Sequence, residues 1–123
     1  MIQAQDIIEG LVRKNSLRAA VLTDELGLPM AAFPSGVQSE APAAMVVQIH
    51  RLFDRVHGQV GLRAMEEVTL RDDAGQQLVC RRIVTAEHDM ILAVLVPPGR
   101  RHRQAIDQAV DQIVESWQLL GGS

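Results

Sequence analysis

The sequence predicts one α+β domain, built on a five-stranded antiparallel sheet of order 2-1-5-4-3 with helices on both faces. Three observations carry that expectation. The runs Leu17–Thr23 and Met90–Val96 are apolar on both faces, as strands enclosed between two layers are. Three amphipathic stretches at helical spacing interrupt the strands, in the order helix, two strands, helix, three strands, helix. One remaining run, Ala64–Arg71, alternates and carries charge on both faces, which suits an edge. The two doubly apolar strands must then be central neighbours, and the order 2-1-5-4-3 satisfies this. A chain of 123 residues allows one domain, spanning 1–123, with roughly two-thirds of its unfolded surface buried.

Residues 2–14 form the first expected helix. Ala4, Ile7, Ile8 and Leu11 share a face, Asp6 and Glu9 lie early, and Arg13 and Lys14 lie at the end. Asn15-Ser16 closes it. In strand Leu17–Thr23, Leu17, Ala19 and Val21 take one face, Ala20 and Leu22 the other. Asp24-Glu25-Leu26-Gly27 turns the chain, with Gly27 free to take positive φ. Leu28–Phe33 returns as a second strand, ended by Pro34-Ser35-Gly36.

The second helix is expected from Ser39 to Val60, with Ser39 as its cap and Pro42 inside the first turn. Met45, Ile49, Leu52, Phe53, Val56 and Val60 fall on one arc about 120° wide and form the expected buried stripe. Gln48, Arg51, Asp54 and Arg55 lie opposite. Ala43 and Val47 make a small second apolar spot, and Gly58 and Gly61 stop the helix. Along Ala64–Arg71, Glu66, Val68 and Leu70 share one face and Glu67, Thr69 and Arg71 the other. Asp72-Asp73-Ala74-Gly75 turns into Gln77–Val84, and Met90–Val96 follows. Pro97-Pro98-Gly99 precedes a last helix over about 100–120, with a stripe of Ile106, Ala109, Val110, Ile113, Trp117 and Leu120.

Composition and motifs exclude several functions. A net charge of −3, no Tyr, two Phe and one Trp argue against nucleic acid. No apolar run approaches the ~18 residues of a membrane span, and the start lacks a basic leader, so neither membrane insertion nor export is expected. Cys80 stands alone and cannot form an internal disulfide. The expected location is cytoplasmic. The G-x-x-x-x-G-K-[ST] and G-x-G-x-x-G loops are both missing, so the chain is not itself a P-loop nucleotide hydrolase.

His50 and His57 lie two turns apart and could share a metal. With no Cys pair or H-E-x-x-H beside them they read as solvated or rim residues. Cys80 reads as a core thiol despite Arg81 and Arg82, and Glu66 and Glu67 point to opposite faces. No catalytic residue, cofactor or metal is expected. Arg100, Arg101, His102 and Arg103 crowd a helix start, where the macrodipole prefers anions. They read as a solvated turn answered by acids such as Asp107. Their functional alternative is an acidic protein partner or an anionic headgroup. The Ala43/Val47 spot and the edge strand leave surface that one core does not use, which points to pairing with another chain.

Several of these runs carry a resemblance. They are Leu17–Thr23 through Asp24-Glu25-Leu26-Gly27-Leu28-Pro29 into Met30-Ala31-Ala32, the helix Ala43–Val60, Met65–Leu70, Gly75–Cys80 and Ile91–Val96. Over about residues 5–118 the chain resembles the roadblock / dynein light chain domain family, a roadblock/longin-like fold of the same element order. The resemblance implies a homodimer with sheets joined edge to edge and middle helices side by side. Ala43, Ala44, Val47, Glu67, Thr69 and Arg71 would then line the seam. It also implies a small Ras-like GTPase as partner, in bacterial polarity or motility systems. If the middle helices lie side by side, the polar residues His50, Arg51, Asp54 and Arg55 of both subunits form one composite surface, which is expected to bind it. A small-ligand sensor or adaptor without a GTPase is the alternative.

Overall fold

A computed structural model describes residues 3–63 and 65–120, with backbone only for 37–43, 57, 119 and 120. Its elements are α1 (Ala4–Asn15), β1 (Ala19–Thr23), β2 (Pro29–Phe33), α2 (Val37–Val60), β3 (Glu67–Arg71), β4 (Gln77–Val84), β5 (Asp89–Val96) and α3 (Arg103–Leu120). The strands make one sheet of order β2-β1-β5-β4-β3, every neighbouring pair antiparallel. This is the predicted order, and it follows from the two doubly apolar strands: β1 and β5 pair at the sheet's centre, with every residue of β1 in register.

Each face of the sheet builds its own core. On one face Ile7, Ile8 and Leu11 of α1 and Ile106, Ala109 and Ile113 of α3 pack on Leu22, Val79, Leu92 and Val94. On the other face α2 seats Val46, Ile49 and Phe53 on Val21, Cys80, Ile91 and Ala93. Thus β1 and β5 bury residues of both parities, whereas β3 keeps Leu70 exposed. Among the described residues no helix is long and apolar enough to cross a membrane.

Two hairpins use one device. In β1–β2, Asp24 Oδ1 accepts from the amides of Leu26 and Leu28 at 2.9 and 3.0 Å, and Gly27 takes φ 84°. In β3–β4, Asp72 Oδ1 accepts from Ala74 and Gln76 at 3.0 and 2.8 Å, and Gly75 takes φ 89°. An Asp that fixes its own turn, followed by a residue free to adopt the left-handed region, sets the register of both hairpins.

Several boundaries and faces differ from expectation. Ser16 adopts the left-handed region at φ 54° and its amide bonds to Val12. That bend keeps residues 17 and 18 out of β1, so Leu17 packs with Ala20 and Leu22 rather than with Ala19 and Val21. Helix α2 begins at Val37, two residues before Ser39, which places Pro42 in the second turn. Strand β3 begins at Glu67, and Ala64 and Ile2 lie outside the described residues. Helix α3 begins at Arg103, so the basic turn precedes it. The expected stripe of α2 is also corrected. Met45, Leu52 and Val60 are exposed, and Val46, absent from that stripe, is fully buried.

Cys80 is a core thiol, 1% exposed among Val46, Ile49, Phe53 and Ile91. Burial first, and the charge of Glu67 second, push its pKa up to about 12. The thiol therefore stays neutral in the fold at pH values where an unfolded chain ionises it, above about 9. Stability is full below that value and falls as pH rises towards 12. With no Tyr and a single Lys, few other side chains titrate in this window. Urea melts at pH 8 and pH 10.5 should show wild type losing stability, and Cys80→Ala should hold level between them.

Candidate functional site: an open sheet edge and the outer face of the long helix

The sheet has two edges, and they differ. At β2 the side-chain amide of Gln5 lies along the strand: Nε2 donates to the carbonyl of Ala32 at 2.8 Å, and the amide of Ala32 donates to Oε1 at 3.2 Å. Pro29, at the start of the same strand, has no N–H to offer. A residue of α1 thus occupies the central outward-facing groups of this edge, a standard protection against pairing.

The β3 edge carries no such cover among the described residues. The amide of Arg82 donates to Glu66 at 2.8 Å and that of Asp72 to Gln76 at 2.9 Å. With Glu67 opposite Arg81 and Arg71 opposite Gln77, these bonds fix the alternation of the ladder. Val68 and Leu70 turn their backbone groups to β4. Glu67, Thr69 and Arg71 turn theirs outward. These three are the strand residues expected from the sequence to line a seam.

Their side chains face the α1/α3 side. Arg81 Nη1 lies 3.3 Å and Arg103 Nη2 3.8 Å from the Glu67 carboxylate, while Thr69 and Arg71 are exposed. On the opposite face Val68 and Leu78 are half-buried and Leu70 is 45% exposed, leaving an apolar floor beside α2 that one chain does not roof.

Around α2, Val46, Ile49 and Phe53 face the sheet. Val47, His50 and Asp54 follow one another at helical spacing along one flank. The charge of Asp54 reaches Arg82 of β4, so this flank is turned towards the β3 edge. Met45 and Leu52 occupy the other flank, turned by the strand order towards β2. Arg51, Asp54 and Arg55 are exposed, as expected. His50 is not on the wet face. It is half-buried, with Nε2 enclosed and without a hydrogen-bond partner among the described residues. Ala44 is exposed and Val47 half-buried. The side chains of Ala43 and His57 lie outside the described residues.

A firm ion pair underlies the helix. Arg82 gives Nε and Nη2 to Asp89 at 3.0 and 2.6 Å, and its guanidinium lies 5.9 Å from the centre of the Phe53 ring. The bonds to Asp89 outweigh burial and raise the Arg82 pKa, so this cation stays charged. Among the described residues no group of three His, Cys, Asp or Glu could hold a metal. The arrangement suits recognition: an unpaired strand edge, an apolar floor, and an outer helix face bearing two arginines.

No protein-family model and no curated protein matches the chain. Solved structures do resemble it. MglB of Myxococcus xanthus superposes with a TM-score of 0.77 at 12% identity, covering 94% of this chain and 94% of that one. The gliding protein MglB of Thermus thermophilus gives 0.71 at 12% identity, covering 91% and 86%. A Roadblock/LC7 domain from Streptomyces avermitilis gives 0.67 at 18% identity, covering 97% and 98%.

Proposed function

We propose that this chain, which has the roadblock/LC7 fold, is a non-catalytic homodimeric scaffold or regulator that binds a small Ras-like GTPase. The contrast between its two sheet edges carries the reading: one closed by Gln5, the other open over Glu67, Thr69 and Arg71. Two copies of β3 that meet antiparallel about an axis at Thr69 use every outward backbone group of the strand. In that register Glu67 faces Arg71 of the partner subunit, and Val68 faces the partner's Leu70. Both faces are self-complementary, as a two-fold interface requires.

Joining β3 to β3 sets the two α2 helices side by side through the flank of Val47, His50 and Asp54. Their outer faces then merge into one surface with Arg51 and Arg55 from both subunits and Met45 and Leu52 at its margins. Guanidinium groups there suit the acidic or phosphate-adjacent loops of a GTPase, and adaptable Met margins suit a surface that repacks on binding. Likeness to a gliding protein favours a motility or polarity system. The small-ligand reading has one observation in its favour, an open cleft of about 300 Å³ between α1 and α3 that includes Asp6, Lys14 and Gln108.

Capture of a small GTPase from native lysate, compared between wild type and Arg51→Glu/Arg55→Glu, tests the reading. The double variant should lose at least tenfold in capture and keep its dimer and melting temperature, since solvent-facing helix substitutions shift stability by within ~0.5 kcal/mol. Undiminished capture moves the binding surface elsewhere.

A further inference from the structure

Opposite the α2 face, the sheet and the start of α3 border an open trough of about 590 Å³. Its floor is Glu67, Thr69 and Gln77. Its wall is Arg100 to Gln104. Arg100, Arg101 and Arg103 are exposed, and His102 turns Nδ1 to the carbonyl of Arg100 at 3.3 Å.

The cations here are under-compensated. Asp107, the acid expected to answer them, is held by Arg81 at 2.7 Å. Glu67 is shared by Arg81 and Arg103, the latter at 3.8 Å. The first turn of α3 holds no acid, and among the described residues Arg100 and Arg101 reach no carboxylate. The turn also stands at the positive end of an 18-residue helix. Arg103 has only the shared Glu67, and Arg100 and Arg101 have no acid in reach among the described residues, so the local preference is broken there without a compensating ion pair, as is common at functional positions.

We propose that this trough docks an acidic peptide segment of a protein partner, through carboxylates held by Arg100, Arg101 and Arg103. Guanidinium forks fit carboxylates in bidentate pairs, and Thr69, Gln77 and Gln104 supply neutral donors between them. A flat anionic membrane fits less well. Helices α1 and α3 stand on the same sheet face and expose Asp6, Asp111 and Glu115, which a charged plane would meet together with the arginines. No large apolar side chain lines the trough to insert into lipid. Its floor borders the proposed seam, since Glu67 and Thr69 belong to both, but its arginine wall stands on the α3 side of the sheet, away from α2 and the proposed GTPase surface.

Fluorescence anisotropy with a labelled alternating Glu-Asp octapeptide tests this directly. Wild type should bind it at low salt and release it in 0.5 M NaCl, because exposed charges are then screened within a few ångströms. Arg100→Glu/Arg101→Glu should weaken binding at least tenfold, and Arg100→Gln/Arg101→Gln should give a smaller loss. Pairing of the chains and the melting temperature should be unchanged in both, so that lost peptide binding is not lost pairing. The variant Arg13→Glu/Lys14→Glu makes the same change in net charge on α1 and should bind as wild type does. Equal loss in that control overturns the proposal, as does peptide binding indifferent to the trough variants. Vesicles containing phosphatidylserine that bind wild type and not the trough variants, while the peptide binds neither, would assign the trough to lipid and overturn it too.

Discussion

Thr69→Pro should turn the proposed dimer into a monomer while leaving each chain folded. The amide of Thr69 points away from β4, so proline removes no bond from the β3–β4 ladder, and proline is tolerated on an edge strand. Between two copies the effect is severe. Both amides at the proposed two-fold axis vanish together, and each ring projects into the incoming strand. Dissociation at least a hundredfold stronger is expected, read by sedimentation at tens of micromolar, with circular dichroism and melting nearly unchanged.

Leu70→Pro is the contrasting case. It removes an amide turned towards Leu78 and should unravel β3 itself. Arg71→Glu sets like charges opposite Glu67 of the partner subunit twice, once on each side of the two-fold axis, and at roughly 1 kcal/mol for each pair should weaken pairing about thirtyfold. Val47→Asp should weaken it through the helix flank. A wild-type chain that sediments as a monomer, or a Thr69→Pro chain that stays paired, would remove β3 from the interface.

Strand order is legible because only two runs are apolar on both faces, and the hairpins are legible from their Asp-x-x-Gly turns. What the sequence hides has physical causes. Apolar residues on α2 span more of its circumference than the sheet covers. Periodicity finds such an arc but does not say which part of it is roofed, so it assigns Met45 and Leu52 to the core and omits Val46. His50 is misplaced for the same reason, as it borders the true stripe. Gln5, whose amide closes the β2 edge, is a polar residue on an exposed helix face and carries no local signal. Likewise the engagement of Asp107 by Arg81 joins residues 26 apart in sequence. Tertiary placement decides it, not spacing.

Phe53→Ala should have the largest effect on stability, and an uneven one. Helix α2 spans 24 residues, yet of its described side chains only Val46, Ile49 and Phe53 are buried. Phe53 is the largest of them and packs beside the Arg82–Asp89 pair. Removing a buried phenyl ring typically costs about 3–5 kcal/mol, against a total of about 5–15 kcal/mol for a small domain. The loss should fall on α2 first. The α1/α3 layer has its own cluster on the other face and does not touch Phe53. Hydrogen exchange should therefore show α2 amides opening at far lower free energy while β1 and β5 keep most of their protection. Leu52→Ala, one residue away and 37% exposed, should change stability by within ~0.5 kcal/mol. Exchange accelerated equally in α2, α3 and β5 would mean that the two cores open as one unit. With two separate cores, the helix proposed to meet the partner is, among the described side chains, the one of the three helices held by the fewest buried residues, so its detachment should abolish capture of the GTPase before the sheet is lost.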